Sequence, residues 1–107
     1  MNFYEGMFII EPSLSEEETE KSIKEITDFI TSKKGEIKEI EKIGKRRLEY
    51  KIEKNSEGFY LLVYFKLNTK EIVPLNRKCK LDQNILRNMI LKTEPALVTK
   101  FADIGKE

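Results

Sequence analysis

The apolar positions change their period along the chain, and each change marks a new element. Phe3 to Ile10 is a short, nearly continuous apolar run, rich in aromatic and β-branched residues and closed by Pro12, which predicts a buried strand. Ser15 then opens a Ser-x-x-Glu capping box with Glu18, so that hydroxyl and carboxylate each satisfy an orphan amide of a first helical turn. Glu16, Glu17 and Glu18 place negative charge at the positive end of the helix dipole. Ile23, Ile26 and Ile30 follow at helical spacing with Phe29 beside them. Lys33, Lys34 and Gly35 end the pattern, predicting a helix of about 18 residues.

Residues 36–53 carry two periods at once. Ile37, Ile40 and Ile43 are spaced by three, as in a helix, whereas Leu48, Tyr50 and Ile52 alternate, as in a strand. A long edge strand with a bulge accommodates both, and its many charges suit an exposed edge. After a turn at Asn55, Ser56 and Gly58, the run Phe59 to Phe65 is apolar on both faces and belongs in the middle of a sheet. Asn68 is a candidate cap for a short helix with Ile72, Leu75 and Cys79 on one stripe. Pro74 predicts that this helix has a loose first turn or starts late. A last strand is expected over 85–92, with Ile85, Arg87, Met89 and Leu91 on one face. The order strand, helix, strand, strand, helix, strand implies an α+β, ferredoxin-like βαββαβ sandwich: a four-stranded antiparallel sheet with two helices on one face and the other face open. One domain covers 1–92. Residues 93–107 read as a tail in which Leu97, Phe101 and Ile104 would share one side of a short helix.

Composition narrows the function classes. The 107 residues suffice for one core. No apolar run approaches the roughly 20 residues of a membrane span. The N-terminus shows no secretory pattern, so a cytoplasmic setting is expected. Net charge is only +1, but it is segregated: residues 1–41 carry a net −6, residues 42–92 a net +8 and the tail −1. All four arginines, Arg46, Arg47, Arg77 and Arg87, fall in the basic block, and guanidinium forks match phosphate oxygens. A solvated surface of lysines and glutamates explains the same totals, because asymmetry along a sequence need not survive folding.

Catalytic chemistry finds no support. There is no histidine, and Cys79 lies on the apolar stripe of a predicted helix, where a buried inert thiol is the expected state. The clustered glutamates are explained by capping and solvation rather than by a metal, and no Gly-rich phosphate loop occurs. No enzyme activity, cofactor or small-molecule substrate is expected. Two features point to RNA. Lys45-Arg46-Arg47 leads into an alternating strand, in which the two arginines face opposite sides. Gly58-Phe59-Tyr60-Leu61-Leu62-Val63-Tyr64 loosely echoes an RNA-recognition strand, although Tyr60 and Tyr64 are more simply read as packing residues.

Taken together, the residues resemble bacterial small-subunit ribosomal protein six over nearly all of 3–92. The resemblance is carried by Tyr4-Glu5, Met7 to Ile10, Pro12, Leu14, Gly35, Gly44-Lys45-Arg46-Arg47-Leu48 with Tyr50 and Ile52, Gly58 with Tyr60 and Phe65, Leu81-Asp82, Ile85-Leu86-Arg87 and Met89-Ile90-Leu91-Lys92. It implies the ferredoxin-like fold and a long strand at 36–53. It also implies a structural constituent of the small ribosomal subunit that binds the central domain of small-subunit ribosomal RNA together with small-subunit ribosomal protein eighteen. On that resemblance Arg46, Arg47, Arg87 and Lys92 become RNA or partner contacts, with Lys45 beside them and Tyr4 and Tyr50 shaping the same sheet region. Two further readings fit the residues: a free-standing single-stranded RNA binder using Tyr60 and Tyr64, and a ferredoxin-like regulatory module that senses a small molecule and oligomerises through a sheet edge.

Overall fold

The computed structural model describes residues 1–52 and 55–94, with backbone alone at 49–52. The elements are β1 (Asn2–Ile10), α1 (Glu16–Ser32), β2 (Glu36–Ile52), β3 (Asn55–Leu67), a short 3-10 turn (Thr69–Glu71), α2 (Ile72–Leu81) and β4 (Ile85–Thr93). The strands form one antiparallel sheet in the order β2-β3-β1-β4, so β1 and β3 are central and β2 and β4 are edges. This is the expected βαββαβ sandwich. Tail residues Leu97, Phe101 and Ile104 lie outside the described residues.

The start of α1 follows directly from its sequence. The Ser15 hydroxyl accepts from the Glu18 amide at 3.2 Å, and the Glu18 carboxylate accepts from the Ser15 amide at 3.1 Å, closing the capping box. These bonds hold the Glu18 carboxyl below its usual range, the backbone bond to Ser15 contributing most. At the other end, Gly35 N–H donates to Ile30 O at 2.9 Å and Lys34 N–H to Thr31 O at 3.1 Å, a Schellman ending. The left-handed residue of that motif is Lys34, with φ of 65°, not Gly35. Gly35 is required for another reason: a Cβ there would lie 2.7 Å from both Ile30 Cγ2 and the Lys66 carbonyl oxygen. Lys34→Gly relieves the left-handed strain and is expected to raise stability by about 0.5–1 kcal/mol after the entropy cost of glycine, read as a higher urea midpoint at unchanged slope.

Bulges reconcile the mixed periods of β2. The register against β3 slips between Ile37 and Glu39 and again between Lys42 and Gly44, where Gly44 takes φ of 96°. Ile37 therefore packs with the main core, while Ile43, six residues on, packs beside Leu62 and Tyr64 on the opposite face. Pro74 is accommodated without loss. It is the third residue of α2, where the amide it lacks would have no partner inside the helix. The Asn68 side chain caps the preceding 3-10 turn by accepting from Lys70 N–H at 3.1 Å.

The core lies between the sheet and its helices. Tyr4, Phe8 and Ile10 of β1 and Leu61, Val63, Phe65 and Leu67 of β3 meet Ile23, Ile26 and Ile30 of α1 and Leu75 and Cys79 of α2. Among the described residues no helix covers the opposite side of the sheet, which carries a second, smaller cluster of Leu62 and Tyr64 with Phe3, Met7 and Ile43. In β4 one expectation needs correction. The pairing with β1 shifts between Ile9 and Ile10, so Ile85 turns into the core while Arg87, Met89 and Leu91 stay on the open face.

Candidate nucleic-acid interface

Strand register orders the open face into rows running from β4 across β1 and β3 to β2. Thr93, Phe3, Lys66 and Glu36 make the first row. Leu91, Glu5, Tyr64 and Glu39 make the second, Met89, Met7, Leu62 and Glu41 the third, and Arg87, Ile9, Tyr60 and Gly44 the fourth. Arg46, opposite Gly58, comes one step further along β2. Arg46 and Arg87 thus stand at the same end of the same face. Three inter-strand steps of about 4.8 Å separate the backbones of Arg87 and Gly44 by about 14 Å.

The floor between the two arginines is built by a missing side chain. A Cβ on Gly58 would sit 2.3 Å from Ile9 Cγ2 and 3.5 Å from Leu48 Cδ2, so these buried aliphatics fill the space it vacates. Half-buried Tyr60 completes the floor. The Arg46 guanidinium folds back along its own strand and donates from Nη1 to Lys45 O at 2.8 Å. Among the described residues, ion pairs join Lys24 to Asp28, Lys38 to Glu36 and Lys42 to Glu20, and none involves an arginine. Both guanidinium groups are exposed and keep most of their donors for an external anion.

The other expected site residues divide differently. Lys45, Arg47 and Lys92 alternate to the helix side, opposite Phe59, Glu57 and Tyr4 respectively. Lys45 borders a hollow beside the start of α1 with Leu14, Glu16 and Glu20. Tyr4 does not shape the open face. Its ring is buried in the main core, stacked on Phe65 with centroids 5.7 Å apart, and its hydroxyl donates to Thr69 Oγ1 at 3.1 Å. The reason is strand parity: an even-numbered position of β1 faces the helices, where an aromatic ring gains the most from burial. The Tyr50 side chain lies outside the described residues.

The sequence pattern puts Met89 and Leu91 on the face of Arg87, but it does not show that carboxylates from two other strands join them there. Glu5, Glu39 and Glu41 surround Tyr64, and Met89 and Leu91 on β4 are each about half exposed, at 53% and 52%. The alternation Glu39-x-Glu41 carries part of the signal, but carboxylates at those positions fit a solvated edge equally well. Tyr64 is fully buried and cannot act as a platform for base stacking. Its hydroxyl is pushed up to about 12, by burial first and then by Glu5, Glu39 and Glu41, and burial also raises the Glu5 carboxyl. An unfolded tyrosine ionises near pH 10, so above that pH the unfolded chain holds fewer protons at this site than the folded one, and stability falls until about pH 12. Tyr64→Phe is expected to remove this component, read as a shallower loss of stability between pH 10 and 12 in urea titrations.

Cys79 offers no competing chemistry. It is 1% exposed, and its thiol is pushed up to about 11, chiefly by burial, leaving no thiolate at neutral pH.

Comparison with known proteins gives this divided face its context. The family model described as Ribosomal protein S6 matches residues 3–92. This chain belongs to the ribosomal protein S6 family. Small ribosomal subunit protein bS6 of Halalkalibacterium halodurans is 38% identical over 94 residues, covering 88% of this chain and 99% of the relative. The bS6 of Protochlamydia amoebophila is 36% identical over 96 residues, covering 90% and 84%. The crystal structure of 30S ribosomal protein S6 from Thermotoga maritima superposes with a TM-score of 0.83 at 28% identity, covering 99% of this chain and 98% of that one. As an S6-family member the chain is a structural protein of the small subunit in the cytoplasmic ribosome and not an enzyme. No helix among the described residues is long and apolar enough to cross a membrane.

Proposed function

We propose that the chain binds the central domain of small-subunit ribosomal RNA together with small-subunit ribosomal protein eighteen, and that the two ligands divide the open face. The observation that carries this reading is the chemical split of one surface. The Arg46–Arg87 end presents exposed guanidinium groups with no carboxylate partner among the described residues, which suits phosphate. The end with Glu5, Glu39, Glu41, Met89 and Leu91 repels phosphate and instead suits a basic protein that also brings apolar side chains. On this reading Lys45, Arg47 and Lys92 reach RNA from the helix side, as peripheral phosphate contacts.

The test is a salt titration of binding to a central-domain RNA fragment in the presence of the partner. Replacing both Arg46 and Arg87 with alanine is expected to weaken binding roughly tenfold or more at low salt and to reduce the slope of log affinity against log salt by about 1–2. Unfolding of the variant should remain cooperative, because both side chains are exposed. Unchanged affinity and slope would remove the arginines from the RNA contact. Fully buried Tyr64 disfavours the stacking alternative, which needs exposed aromatic faces.

A further inference from the structure

Among the described residues β4 bonds only to β1, which leaves its outer edge without a neighbouring strand. Beside that edge, a cleft of about 770 Å³ opens between the end of α2 and the start of β4, with Lys80, Asp82, Gln83, Leu86 and Arg87 among its lining residues. Its charge favours an anion. Lys80, Gln83 and Arg87 are exposed. The one carboxylate of the lining, Asp82, is engaged by its own turn, where Oδ1 accepts from Asn84 N–H at 2.9 Å. The Asn88 amide is likewise occupied, donating from Nδ2 to Asn76 Oδ1 at 2.7 Å. The Cys79 thiol in the lining is neutral and brings no repulsion.

Arg87 belongs both to this cleft and to the arginine end of the open face. We propose that an RNA backbone leaving that end turns round the β4 edge into the cleft, where Lys80 pairs with a phosphate and the Gln83 amide donates to it. This phosphate subsite rests on the RNA-binding reading above and adds to it a defined path, from the open face to the end of α2. Lysine is suited to the position as a point charge on a flexible stem. The edge of β4 that no other described strand pairs with offers backbone amides along the same path, a common source of sequence-independent phosphate contacts.

The experiment uses the full chain with the partner and the central-domain RNA fragment, comparing Lys80→Ala, Lys80→Arg and the Arg46/Arg87 double alanine variant across a salt series. Lys80→Ala is expected to weaken binding three- to tenfold at low salt and to lower the salt slope by about 0.7–0.9, one phosphate's worth of released counterions. Lys80→Arg should restore both. A weakened affinity with an unchanged slope would overturn the subsite, because a structural role of Lys80 does not alter the number of phosphates neutralised. An intact affinity in Lys80→Ala beside a weakened double arginine variant would overturn the subsite and leave the broader reading standing. Intact affinity in both would overturn the two together.

Discussion

Phe8→Ala is expected to remove about 3–5 kcal/mol of folding stability, a large part of the 5–15 kcal/mol typical of a single domain. Phe8 is fully buried on a central strand, with the main core around it. Its ring also covers Gly6: a Cβ on that residue would lie 2.8 Å from the Phe8 ring. Truncation therefore opens a void whose floor is bare backbone, and neither neighbouring strand can move in to close it while both remain hydrogen-bonded to β1. Urea denaturation should show a lower midpoint at unchanged slope. A loss below about 1 kcal/mol would mean that the core collapses around the site and is not close-packed there.

Reversing the acidic half of the open face is expected to have the largest effect on assembly. Glu39 and Glu41 project from β2 beside Tyr64 and Leu62, with Glu5 across the sheet. On the proposed pairing with small-subunit ribosomal protein eighteen, Glu39→Lys together with Glu41→Lys sets like charges against a basic partner, which costs several kcal/mol, so the proposed heterodimer should weaken about 100-fold or more. Isothermal titration with small-subunit ribosomal protein eighteen measures this directly. The free variant should fold at least as well as the parent, because the two substitutions relieve carboxylate crowding around the buried tyrosine. Undiminished partner affinity would place the heterodimer contact elsewhere, for instance along the β2 edge, where a second chain could add a strand.

Legibility in the sequence tracked how local the deciding physics was. The capping box of α1 could be read because Ser15 and Glu18 are three residues apart and satisfy each other's amides without outside help. The two-sided apolar run of β3 announced a central strand for the same reason: burial on both faces leaves no room for alternation. Residues 36–52 were ambiguous because a bulge shifts the face of every later side chain, and only pairing with β3 locates it. The same cause misplaced Ile85, whose face is set by a slip against β1, a strand 75 residues away in sequence. Tyr4 and Lys92, both drawn to the site by family resemblance, pair with each other on the helix side, away from Arg46 and Arg87.

The amino-acid sequence by itself determined the element order, the two ends of α1, the central strand and family membership, since each is written in short-range spacing or in motifs. The tertiary structure alone decided that Arg46 and Arg87, 41 residues apart, share one end of one face, and that Glu5 of β1 and Glu39 and Glu41 of β2 gather further along it. The physical reason is that side-chain direction in a strand has a period of two, so a single slipped residue exchanges faces. Which charges become neighbours is thus a property of register, and register is settled only when the strands pair.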